Sequence, residues 1–155
     1  MTEGAAVEGT VAVSRKGETR IQRGHPWVFR SDVTRDQGVA PGSVVRVEGP
    51  QGRHLGYAFY SSRSEIRLRM IQRGESLSRD FLRERLAAAL RWRETVAAGA
   101  SAYRVVHGEG DGLPALVVDR YRDHLVVQTL SQATERRKGE IVEALVGLLR
   151  PQGVL

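Results

Sequence analysis

The chain has 155 residues, room for one ordinary domain or two small ones. Its composition, 41% hydrophobic and 27% charged, is that of a globular protein, and no apolar run approaches the ~18 residues of a membrane span. The absence of cysteine removes disulfides, thiolate metal sites and cysteine nucleophiles, while the net charge of +6 turns attention to anionic partners.

Of the 24 basic residues 22 are arginine, whose planar fork suits bidentate contacts to phosphate and stacking on bases. The same usage also follows from genomic composition, so basicity alone does not decide for nucleic acid. The four histidines, His25, His54, His107 and His124, have no ligand cluster around them, so no metal is expected. Met1-Thr2-Glu3-Gly4 lacks the basic-then-apolar start of a secretory signal, which makes the cytoplasm the expected compartment.

In chain order, residues 11–73 read as β-rich. Val11 and Val13 alternate with small residues, and a short helix or loop then carries Arg15, Lys16, Arg20 and Arg23. Gly24-His25-Pro26 predicts a turn into the apolar segment Trp27-Val28-Phe29. Here Trp27 and Phe29 are expected in the core, and His25 and Arg23 at the surface, although the three rings could also form a platform for stacked bases. Val44–Glu48 and 53–60 flank Gly49-Pro50-Gln51-Gly52, a hairpin turn. In Ile66-Arg67-Leu68-Arg69-Met70 the period of two puts Arg67 and Arg69 on one face, opposite Ile66, Leu68 and Met70. Bracketed by Arg63 and Arg73, that arginine row is the best electrostatic candidate in the chain. Short strands at this spacing suggest a small barrel or folded-over sheet.

The pattern changes at Ser78, a candidate N-cap for a helix with Leu82, Leu86, Ala89, Leu90 and Val96 on one stripe. Arg93 interrupts this stripe and must snorkel outward or find a partner. Three extended runs follow, at 102–107, 113–119 and 124–130, and then a helix over about 134–149. Val154-Leu155 read as the start of a further strand. Gly108-Glu109-Gly110-Asp111-Gly112 precedes a strand, whereas a phosphate-cradling loop opens a helix, so it reads as a tight turn. Glu109, Asp111 and Asp119 beside it read as turn-capping carboxylates without a catalytic role.

Gly24-His25-Pro26-Trp27-Val28-Phe29-Arg30-Ser31-Asp32-Val33 resembles the signature of the PUA-type domain that opens the large-subunit (23S) ribosomal RNA methyltransferase I family. The stretch from Tyr103 to Pro114, with Val118-Asp119-Arg120-Tyr121, resembles that family's central β-β-β-α-β domain. Two positions depart from the family pattern: Gly110 stands where serine is usual, and Ala115 where glycine is usual. The resemblance implies an α+β protein, with a small PUA-like β-barrel over residues 1–74 and a central domain over 75–155. It implies ribosomal RNA as partner, no membrane, and an oligomeric state left open, a homodimer included. Members form 5-methylcytosine from S-adenosylmethionine in a C-terminal Rossmann-like domain. Neither that cofactor crevice nor the attacking cysteine is found here, so the chain by itself is expected to be non-catalytic and without cofactor. Resemblance and charge together nominate Arg15, Lys16, Arg20, Arg23, His25, Arg67 and Arg69 as RNA contacts. A standalone RNA-binding module and a protein–protein adaptor are the alternatives.

Overall fold

The computed structural model describes residues 6–155, which divide into two compact units, one ending at Arg79 and one spanning Asp80–Leu155. The N-terminal tetrapeptide read for a secretory signal lies outside the described residues. The division falls a few residues past the 74/75 boundary read from the sequence. The chain beyond the last strand of the first unit stays tied to that unit: His54 Nε2 bonds the Gly74 carbonyl at 2.8 Å, and the Tyr57 hydroxyl donates to the Glu75 carbonyl at 3.0 Å.

The first unit runs β1 (Gly9–Val13), α1 (Arg15–Gln22), β2 (Trp27–Phe29), β3 (Val33–Arg35), β4 (Val44–Glu48), β5 (His54–Tyr60) and β6 (Ile66–Gln72). These strands form one sheet in the order β2-β6-β5-β4-β1-β3. Its two edge strands, β2 and β3, are joined only by the 3-10 turn Arg30–Asp32, so the sheet nearly closes on itself. The β4–β5 hairpin turns at Pro50–Gly52, where Gln51 and Gly52 both take positive φ. Alternating residues of several strands fill the interior: Val11, Val13, Val45, Val47, Ala58, Leu68 and Met70, closed by Ile21 of α1. Val28 is also fully buried there, whereas Trp27 and Phe29 are half-buried on the other face of β2. The core expectation for the two rings is therefore corrected. In a three-residue strand the pleat phase decides what points inward, and it selects the smaller residue.

The second unit runs α2 (Phe81–Val96), β7 (Ala102–His107), β8 (Leu116–Tyr121), β9 (His124–Thr129), α3 (Gln132–Arg136), α4 (Lys138–Leu149) and β10 (Gly153–Val154). β7, β8 and β9 are an antiparallel meander, and β10 pairs in parallel with β9. Leu82, Leu86, Ala89 and Leu90 of α2 are buried, as are Ile141 and Leu145 of α4, the helix packed beside it. Asp80, rather than Ser78, holds the N-cap of α2. The helix read over 134–149 is two helices broken at Arg137. The first is started by a capping box, in which Ser131 Oγ accepts from the Thr134 amide and Thr134 Oγ1 from the Ser131 amide.

Candidate nucleic-acid interface

Helix α1 begins at Ser14, whose Oγ accepts from the Gly17 amide at 3.2 Å, and it ends in a Schellman motif. The Gly24 amide donates to the Ile21 carbonyl (2.9 Å) and the His25 amide to the Arg20 carbonyl (3.1 Å). Gly24 sits at φ +87, a conformation that glycine adopts without steric cost. This turn brings the chain back under the last turn of the helix, so that residues before and after it share one cleft. Lys16, Thr19, Arg20, Arg23, Gly24, His25 and Pro26 line that cleft, which encloses about 730 Å³.

Its side chains are held from behind. Asp32, only 3% exposed, lies 3.6 Å from Arg20 Nε and 3.9 Å from Lys16 Nζ. The Arg20 guanidinium lies 4.9 Å from the centre of the Phe29 ring. His25 Nδ1 accepts from the Trp27 amide at 3.1 Å, and its ring stands edge-on to Trp27 and tilted to Phe29, with centroids 6.0 and 6.3 Å away. The half-buried rings of β2 thus support the wall of a basic cleft.

Of the seven nominated residues the structure brings four together: Lys16, Arg20, Arg23 and His25. His25 is half-buried, not fully at the surface as expected. Arg15 is exposed in the first turn of α1 but does not line the cleft. Arg67 and Arg69 lie elsewhere, on β6, and do not form a solvated row. Arg67 has a side chain 11% exposed; it donates to the Ser61 and Ser62 carbonyls, pairs with Asp36 (3.6 Å) and faces the Tyr60 ring. Arg69 is buried and donates to Ser61 Oγ and the Ile66 carbonyl. Alternation does place them on one face, but that face is covered, so their charges are spent inside the protein. Sequence reading missed Thr19, Gly24 and Pro26 as cleft residues. The one local signal was a glycine just after a short helix, which marks a C-cap and hence a chain reversal.

In the second unit the Gly108–Gly112 segment is a 3-10 turn leading to β8, as its strand context predicts. Arg93 makes a bidentate pair with Asp111 (2.5 and 2.8 Å), Asp111 accepts from the His107 amide (2.6 Å), and Arg85 donates to the Gly112 carbonyl (2.7 Å). Burial raises the Asp111 pKa, but the bonds from Arg93 and the His107 amide outweigh it and hold the carboxyl below its usual range. Arg104 pairs with Asp119 at 2.8 and 3.2 Å. Asp111 thus braces the turn and Asp119 the β7–β8 strand pair. Among the described residues no group of three or more His, Asp or Glu is placed to hold a metal, and no helix is long and apolar enough to cross a membrane.

The first unit is a PUA-like domain: that family matches residues 11–73. Over most of its length the chain also resembles proteins named ribosomal RNA large subunit methyltransferase I. The relative from Photobacterium profundum is 40% identical over 83% of this chain, and that from Cronobacter sakazakii 36% over 89%. Over the region it shares with them, the chain is similar to ribosomal RNA large subunit methyltransferase I proteins. It spans about a third of their length, 34% and 36%. Two solved structures share the fold at 19% identity: a candidate SAM-dependent methyltransferase from Streptococcus mutans, and a candidate methyltransferase solved with SAH. Each covers 92% of this chain, with TM-scores of 0.79 and 0.78, and 38% of the matched chain is covered.

The family brings S-adenosylmethionine into question, and the glycine-rich turn does not fit it. A nucleoside cofactor needs a glycine loop opening onto a helix N-terminus. This one opens onto a strand, and Arg85 and Arg93 already occupy its carbonyl and carboxylate.

Proposed function

We propose that these 155 residues are the RNA-holding part of an S-adenosylmethionine-dependent 23S ribosomal RNA cytosine-5 methyltransferase. The first unit grips ribosomal RNA through its basic cleft, and the second links it to the methyl-transfer chemistry, which lies in residues outside these 155. The observation that carries this reading is the convergence of Lys16, Arg20, Arg23 and His25 on one cleft of a PUA-like domain. Arg15, exposed one turn away, extends the basic surface. Arg67 and Arg69, held by partners on and around β6, lie outside the cleft and are not assigned RNA contacts.

The test is binding of a 23S rRNA fragment by the purified chain at several salt concentrations. About three phosphate contacts give an affinity loss of several tens of fold between about 50 and 200 mM salt. Lys16→Glu with Arg23→Glu is expected to abolish most of the binding and flatten that dependence. Salt-insensitive binding would favour a protein–protein adaptor instead. Incubated with S-adenosylmethionine and 23S rRNA, the chain is expected to transfer no methyl group, and measurable transfer would overturn the division of labour.

A further inference from the structure

The basic cleft has a buried carboxylate behind it. Lys16 and Arg20 stand at i and i+4 on α1, and so share the helix face that meets Asp32. The approach is close: a Cβ added at Gly17 would lie 3.3 Å from both the Cβ and the carbonyl oxygen of Asp32. That carbonyl secures the start of the helix by accepting from the Ser14 amide at 2.8 Å, an anchorage independent of the Asp32 side chain. Of the two cations, Lys16 is 73% exposed and comes only within 3.9 Å, whereas the Arg20 side chain is 26% exposed. Arg20 Nε and Asp32 Oδ2 are both shut off from solvent, and among the described residues neither has a hydrogen-bond partner. They lie 3.6 Å apart, too far for a hydrogen bond, so each serves the other as a buried charge partner.

A negative charge behind a phosphate site weakens its attraction for phosphate, so by charge alone Asp32 opposes binding. What it supplies in return is order. A long arginine that becomes fixed only when its ligand arrives loses rotamer freedom at that moment, and affinity falls with it. Arg20 is held beforehand: Asp32 lies beside Nε, and the guanidinium carbon is 4.9 Å from the centre of the Phe29 ring. With Nε committed to Asp32, the two Nη groups are the donors left for an anion in the cleft. Resting on the RNA-holding role proposed above, we infer that Asp32 is a positioning residue, which holds Arg20 by Nε so that the Nη end of the fork meets an RNA phosphate. It acts through Arg20 and not through Lys16, and it touches no RNA itself.

The experiment is a double-mutant cycle in the full 155-residue chain, read as affinity for a fluorescently labelled 23S rRNA fragment at about 50 mM salt. Asp32→Asn keeps the size of the side chain and removes its charge. It makes the cleft more positive, yet it is expected to weaken binding about threefold to tenfold, the scale of ordering one long side chain on binding. In an Arg20→Ala background the same substitution should cause no further loss, and in a Lys16→Ala background the loss should persist in full. Asp32→Ser, smaller and equally neutral, is the variant to read if Asp32→Asn does not fold. Unchanged or tighter binding by the Asp32 variant would overturn the inference, because charge would then outweigh position. An equal loss with and without Arg20 would overturn it as well, since a general folding defect or a direct RNA contact acts in either background. Both results leave RNA binding by the cleft intact. A wild-type chain that does not bind the fragment would overturn the RNA-holding reading itself, and this inference with it.

Discussion

Arg93 sits on the otherwise apolar stripe of α2, and its guanidinium meets Asp111 with both side chains barely exposed, 13% and 11%. Because Asp111 also accepts from the His107 amide, removing the arginine leaves a shielded carboxylate with one partner fewer. Arg93→Ala is expected to cost about 2–3 kcal/mol, read as a shift in the urea midpoint at unchanged slope. The folded-state pKa of Asp111 is held below its ordinary 3.8, so its contribution is present above that value and lost as pH falls through the lowered one. Acid unfolding of the wild type should steepen below about pH 4, and Arg93→Ala should weaken that dependence. Ala115 lies at φ +60, at the position where the family resemblance expects glycine. A left-handed alanine is strained by ~1 kcal/mol, so Ala115→Gly is expected to raise stability by about 0.5–1 kcal/mol, visible as a higher Tm.

At the scale of elements, β5 and β6 depend on one glycine. Gly56 has φ +134, and a Cβ there would lie 2.2 Å from the Gln72 carbonyl oxygen, beside the register shift at Tyr57 and Ala58. Gly56→Ala is expected to cost about 3 kcal/mol or more, and circular dichroism should show the β-sheet signal melting at a lower temperature. Strand and helix placement was largely legible, because turn residues such as Gly49-Pro50-Gln51-Gly52 and the stripe from Leu82 to Leu90 act locally. What covers each strand face was not legible. The alternation at Ile66–Met70 is real, yet it cannot reveal that the arginine face meets Asp36, Tyr60 and the Ser61 and Ser62 carbonyls, which come from other parts of the chain. Residue volume suggested that Trp27 and Phe29 belong inside, and the pleat put Val28 there. The site was half legible for the same reason: the basic residues of α1 are adjacent in sequence, whereas the turn that folds His25 against Arg20 is a property of Gly24 and its hydrogen bonds.

Across the whole molecule, charge follows the division into units. Residues up to Arg79 carry 13 basic and 8 acidic side chains, and those from Asp80 onward 11 and 10, so nearly all of the excess lies in the PUA-like unit. Reversing a charge outside that unit should therefore matter little. Arg91→Glu, on the exposed side of α2, is expected to change RNA affinity less than about twofold, against tenfold or more for Arg23→Glu, in parallel salt titrations. The same partition has a kinetic side. A body whose centre of charge is displaced from its centre of mass experiences a torque in the field of a polyanion, so it is turned before it touches. On the RNA-holding role proposed above, added salt should then slow capture of RNA more than it shortens the lifetime of the complex once the cleft is filled.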